Sequence, residues 1–202
     1  QSAPYEKHIP FYNTYKSQLA TPCPDAYIIP QAYQEVIERL IWNGVQMDRL
    51  ETDQIKSVAV YYIEDFENID AYEGHYFHTK IKVKKDIQQI QFYKGDYIIS
   101  TQQPSRRYII ETLEPQAPDG FFARNFFDGI LMQKENFSPY VFEELAIEIL
   151  KSDPELKKKL EDKKNNDSDF AGDAYAQLEF IYKSSIYYEK THKRYPVFRV
   201  EK

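Results

Sequence analysis

Residues 113–150 read LEPQAPDGFFARNFFDGILMQKENFSPYVFEELAIEIL, and the change of hydrophobic rhythm around them decides the fold class. Upstream, apolar residues alternate at the two-residue step of strands. Downstream they recur at the three- and four-residue steps of helices. Pro115, Pro118, Asp119 and Gly120 form the loop between the two regimes. Beyond it, residues 121–134 carry Phe122, Phe126 and Ile130 at helical spacing, with Asp119 placed as an N-cap. Ser138-Pro139 starts a second helix, a capping residue followed by proline at the first helical position. That helix runs to about Lys151, with Val141, Phe142, Leu145, Ala146 and Ile149 on its inner face. Asp153-Pro154 repeats the start signal for a thinly apolar surface helix. Residues 165–172 then read as a polar break, residues 174–185 as a last helix, and residues 197–200 as an apolar strand.

Working backwards from Leu113, strand candidates dominate. Residues 107–113, 97–101 and 87–93 each read as a strand, with Lys94, Gly95 and Asp96 supplying a turn. Phe77, Thr79, Ile81 and Val83 share one face of a half-exposed strand. His78, Lys80, Lys82 and Lys84 share the other as a solvated lysine stripe. Val58, Val60 and Tyr62 alternate with Ala59, Tyr61 and Ile63, so both faces are apolar enough for a central position in a sheet. Ala26, Tyr27, Ile28 and Ile29 form a short strand halted by Pro30. The apolar positions Tyr33, Val36, Ile37, Leu40 and Ile41 then mark one helix face, closed by Gly44. Val45 and Met47 begin another strand, so residues 26–49 could form a small βαβ unit. Before Pro24 the prolines fix φ and remove donors, leaving an extended lead-in with a strand candidate at residues 9–15.

The fold class is therefore α+β: an antiparallel or mixed β-sheet, with a small βαβ unit, followed by a C-terminal group of helices. A single domain over residues 1–202 is expected, with lead-in 1–25, a mainly β part 26–113 and a mainly helical part 114–202. With 42% hydrophobic residues the chain can bury a sizeable core. A net charge of −6 gives no footprint for nucleic acid, whose binding depends on clustered Lys and Arg. No apolar run reaches the roughly 20 residues of a membrane span. The first residues lack a basic region followed by an apolar run, so no signal peptide is expected there. A single cysteine, Cys23, excludes an internal disulfide and stands beside two prolines as a small structural residue.

Residues 113–150, together with IPFYNTYKSQLATPCPDAYIIPQAYQEVIERLIWNGVQMDRL (9–50), GDYIISTQQPSRRYIIETLEP (95–115) and QLEFIYKSSIYYEKTHKRYPVFRV (177–200), resemble the segment that follows the catalytic domain in bacterial M14-type zinc carboxypeptidases. The resemblance covers nearly the whole chain. It implies a non-catalytic C-terminal accessory domain of a periplasmic or secreted metallocarboxypeptidase-like protein. Its partner would be the catalytic domain of the same polypeptide, which would hold the zinc. Members of that family bind zinc through a His-x-x-Glu pair and a later histidine. No histidine here is followed three residues on by glutamate, so no catalytic or metal residue is carried over. Gly120 and Arg124 depart from the family pattern, where serine commonly follows the Asp119-like position and tryptophan often stands at the Arg124 position.

The residue types themselves nominate few sites. Glu73-Gly74-His75-Tyr76-Phe77-His78 contains a His-x-x-His, but within a strand residues three apart point to opposite faces, which works against chelation. No G-x-S-x-G elbow and no phosphate-binding glycine loop occurs. Glu114 and Asp119, close in sequence to Arg106, Arg107 and Arg124, suit either an anchor against a catalytic domain or a helix cap with local ion pairs. The chain has 18 tyrosines and 13 phenylalanines. Among them Tyr182, Tyr187, Tyr188 and Tyr195 are candidates for a partly wet contact surface, the alternative being a tyrosine-rich core. An independent module binding glycan or peptide is the second functional class.

Overall fold

The computed structural model describes residues 4–17 and 19–201; residues 1–3 and 18, part of the expected lead-in, and residue 202 lie outside the described residues. The fold is α+β, an antiparallel sheet followed by helices. In chain order the elements are β1 (Ala26–Ile29), α1 (Gln34–Trp42), β2 (Asp48–Arg49), β3 (Gln54–Asn68), β4 (His78–Phe92), β5 (Tyr97–Ser100), α2 (Arg106–Leu113), a 3-10 turn (Asp128–Ile130), α3 (Pro139–Ser152), α4 (Pro154–Asn166), α5 (Ser168–Gly172), α6 (Ala174–Ser184) and β6 (Phe198–Val200). The sheet order is β2-β5-β1-β6-β3-β4, and every pairing is antiparallel. Strands β1 and β2 both run antiparallel to β5, which lies between them. They are thus parallel but not adjacent, and the expected βαβ unit is split by an inserted strand.

Because side chains alternate across a strand, β1 feeds two cores. Tyr27 and Ile29 join Val36 and Leu40 of α1, Ile109 and Leu113 of α2, Ile63, Ile99, Phe122, Phe127 and Tyr195 on one side. Ile28 joins Leu50, Val58, Val60, Phe92 and Phe198 on the other. Full burial of each such aliphatic or phenyl group stabilises the fold by about 1.5–3 kcal/mol. Strand β3 is buried on both faces at residues 58–61, as the double alternation predicts. A third cluster lies within the helical group: Phe142, Ala146, Leu156, Leu160, Phe170, Ile181 and Tyr182. Three of its helices, α4, α5 and α6, start on aspartates. The Oδ1 atoms of Asp153, Asp167 and Asp173 accept from the backbone N–H of Leu156, Phe170 and Ala176 at 2.9, 3.0 and 2.9 Å.

Several local expectations are corrected. Residues 107–113 are helix, not strand: Ile109 and Leu113, four apart, both turn into the core, and the run Tyr108-Ile109-Ile110 fits either period. Residues 121–134 form no α-helix: successive turns over 121–127 lead into the 3-10 turn, and 131–134 continue without regular structure. Asn125 stands at φ +69°, a left-handed conformation that interrupts helical propagation. Asp119 consequently caps nothing; its Oδ1 accepts from Arg124 Nε at 2.6 Å. Residues 165–172 are the end of α4 and the whole of α5, with Asp167 as cap between them. Residues 87–93 continue β4 rather than opening a new strand, and no strand forms at residues 9–15. Ile41 and Val141, expected on inner faces, are exposed.

His78 also departs from the expected solvated stripe. Lys80 takes φ +50°, and the pairing steps from Lys82↔Asp65 to Thr79↔Glu67, which places one extra residue on β4. Such a bulge reverses the alternation beyond it. Lys80, Lys82 and Lys84 stay exposed, while His78 turns inward together with Ile81.

Candidate functional site

The expected contact residues do not assemble into one surface. Tyr195 is fully buried in the sheet core, its hydroxyl donating to the Leu113 carbonyl at 2.9 Å. Tyr182 is buried in the helical cluster, edge-on to Phe142. Tyr188 packs against Tyr182 and hydrogen-bonds His192. Of the four, only Tyr187 is largely exposed. Two of the tyrosines therefore serve as core, because their rings are fixed by packing and leave no face for a partner.

Glu114 is likewise inside. It forms an ion pair with Arg199 of β6 and accepts from the Tyr27 hydroxyl at 2.5 Å. Arg199 further donates to Tyr61 Oη at 3.2 Å, to Glu201 Oε1 at 3.0 Å and to the Pro22 carbonyl. Burial opposes the charge on Arg199, yet the Glu114 carboxylate beside it moves its pKa upward overall. Burial, reinforced by the Glu114 charge, pushes the Tyr61 hydroxyl up to about 12 and also raises Tyr27 and Tyr195 well above the ordinary tyrosine value. These groups hold their protons and act as donors. The network joins the lead-in, β1, β3, the loop after α2 and β6, and its chemistry is structural. Arg199 was not singled out from sequence. A charged residue inside the apolar run Val197-Phe198-Arg199-Val200 is the signal that could have found it.

Of the expected contact residues, Arg124 lines a surface cleft of about 520 Å³, within the general range of small-molecule sites, and Asp119 is not among the cleft's lining residues. Tyr33, Gln34, Glu35, Val36 and Arg39, from the turn before α1 and the helix itself, form one wall. His75, Arg124, Asn125 and Phe126 form the other. Arg124 is tied by Asp119 at 2.6 Å and by Glu73 at 3.6 Å, which raises its pKa, the Asp119 hydrogen bond contributing most. Its guanidinium also lies 4.8 Å from the centre of the Phe77 ring. Arg39 differs. Its Nη1 donates to the Glu35 carbonyl at 2.8 Å and its guanidinium lies 4.4 Å from the Phe126 ring centre, with no carboxylate partner among the described residues.

The two histidines of His-x-x-His converge, contrary to the expectation of opposite faces. His75 precedes the strand, in a turn built by Glu73 at φ +51° and Gly74 at φ +81°, so the strand rule does not apply to it. Its Nδ1 meets Asn125 Oδ1 at 3.2 Å, while Asn125 Nδ2 donates to the Tyr76 carbonyl at 3.0 Å and lies 3.3 Å from His78 Nε2. His78 is wedged between Phe66 and Phe122. Its Nε2 donates to Asp128 Oδ1 at 2.7 Å and its Nδ1 lies 2.7 Å from the Asn68 amide oxygen. Both ring nitrogens are engaged, so His78 braces the inner side of the cleft wall. Among the described residues no group of three or more His, Cys, Asp or Glu is placed to hold a metal ion.

Sequence reading nominates neither Arg39 nor Asn125, and names His75 only beside His78, since no local spacing links α1 to residues 75 and 125. Comparison with protein-family models, with curated proteins and with solved structures finds no significant match.

Proposed function

We propose that this chain is the non-catalytic C-terminal accessory domain of an exported M14-type zinc carboxypeptidase-like protein, and that it packs on the catalytic domain through its lead-in. The lead-in carries this reading. Tyr5, Ile9, Phe11, Tyr12 and Tyr15 are all exposed, Tyr12 at 89% and Tyr15 at 96%, in a segment without regular structure. Five large apolar side chains in eleven consecutive residues are unfavourable in water, and such a concentration is characteristic of a surface that meets another body. Just beyond, the lead-in is fastened by Arg199 to the Pro22 carbonyl and by Thr101 Oγ1 to the Pro24 carbonyl at 2.7 Å. A firm anchor beside an uncovered apolar segment suits a domain held against a neighbour.

In that arrangement hydrolysis belongs to the catalytic domain, whose zinc would activate water. This chain contributes stability and shapes access to substrate. The test compares the polypeptide encoded by the gene with residues 1–202 alone, using peptides with free C-termini. Chelator-sensitive release of C-terminal residues by the former and not by the latter is expected. Equal activity of both, or chelator-insensitive behaviour of the gene product, overturns the reading.

A further inference from the structure

We infer that the cleft between α1 and the Asn125 turn is a binding site for a small organic monocarboxylate, with Arg39 as the group that receives the carboxylate. This inference does not depend on the accessory role. Arg39 is held by the Glu35 carbonyl at 2.8 Å and by two rings, Phe126 at 4.4 Å and Trp42 at 5.9 Å from its guanidinium. A guanidinium restrained in this way loses little freedom on binding, and its planar fork matches a carboxylate in two parallel hydrogen bonds. Of its N–H donors the contacts just named use one, so others remain for a ligand.

Charge matching selects a monoanion. The second guanidinium on the cleft, Arg124, is already neutralised by Asp119 and Glu73, and Glu35 lies on the same cleft as Arg39. Arg39 is therefore the cation on the cleft without a carboxylate within ion-pair distance among the described residues, and with Glu35 on the same cleft the positive charge is too little for a doubly charged phosphate. The Tyr33 and Phe126 rings supply apolar wall for the body of such a ligand. His75, oriented by Asn125 Oδ1 at 3.2 Å, adds a polar group on the opposite wall.

Benzoate is the probe, with benzamide as its neutral isostere and inorganic phosphate as a competing anion, followed by nitrogen-15 NMR on residues 1–202. Benzoate should give saturable shifts at the Arg39 guanidinium and the Asn125 amide, with affinity at least about tenfold above benzamide, as expected for a charged hydrogen bond. Phosphate should leave those signals in place. Arg39→Gln should abolish the response. Arg39→Lys, which keeps the charge and loses the fork, should weaken it. The amide spectrum of each variant reports that the fold is retained. Absence of saturation with benzoate, equal binding of benzamide, a matching response to phosphate, or unchanged binding by Arg39→Gln overturns the inference.

Discussion

Arg199 and Glu114, 85 residues apart in the chain, form an ion pair sealed inside the molecule, their side chains 1% and 8% exposed. The pair links β6 to the loop after α2 and so closes the last strand of the chain into the sheet. Taking two charges out of water is costly, and their attraction offsets this only where hydrogen bonds satisfy the remaining donors and acceptors. Tyr27, Tyr61, Glu201 and the Pro22 carbonyl provide those bonds.

Removing one partner should therefore harm the fold more than removing both. Glu114→Ala is expected to lower stability by about 3–5 kcal/mol by leaving Arg199 buried without its counter-charge. Glu114→Leu combined with Arg199→Met should recover a large part of that loss. Urea unfolding midpoints at constant slope measure both. A double variant as unstable as Glu114→Ala would contradict the account.

The same network fixes an alkaline limit. Tyr27, Tyr61 and Tyr195 have folded-state values above the ordinary tyrosine value of about 10, through burial first and the Glu114 charge second. The folded state thus holds these protons more tightly than the unfolded state. Their contribution is complete below pH about 10 and is lost as pH rises through the folded value, about 12 for Tyr61. Tyrosinate absorbance should rise in two stages: exposed rings first and reversibly, then the buried ones together with loss of helical circular dichroism. A single stage with the fold intact would contradict this.

Asn125 holds both its backbone and its side chain in special states. Asn125→Ala removes the amide and places a Cβ residue without local hydrogen bonding at φ +69°, with an expected cost of about 2–4 kcal/mol. Asn125→Gly relieves the backbone part alone and should cost less. Thermal unfolding of the two variants separates the terms, and equal losses would show that backbone conformation plays no part.

In the helical group, Asp153→Ala should cost about 1 kcal/mol, as loss of a side-chain N-cap. Asp153→Asn, which keeps the accepting oxygen, should cost a fraction of that. Equal effects would assign the aspartate's role to its charge and not to its hydrogen bond with Leu156.

The elements that sequence made legible were those with unambiguous punctuation. Pro30 ends β1, Gly44 at φ +72° follows α1, and Ser138-Pro139 and Asp153-Pro154 open α3 and α4. Residues 107–113 were misread because three adjacent apolar residues satisfy both periods, and residues 121–134 because one left-handed asparagine overrides a helical pattern. His78 was assigned to the wrong face by a single inserted residue at Lys80. Sheet order was not legible either, since β6 pairs with strands far away in sequence. The cleft escaped for the same reason: Arg39, His75 and Asn125 meet only through tertiary contact, while Glu114 and Tyr195, chosen for their chemistry, are held inside by theirs.

Amide hydrogen exchange across residues 4–17 tests the central claim most directly. Among the described residues this segment makes no backbone–backbone hydrogen bond, so residues 1–202 alone should exchange there at the rate of an unstructured peptide. In the polypeptide encoded by the gene, the amides around Phe11, Tyr12 and Tyr15 should be protected by the proposed neighbouring domain. Unprotected exchange at those residues in both samples would contradict the account.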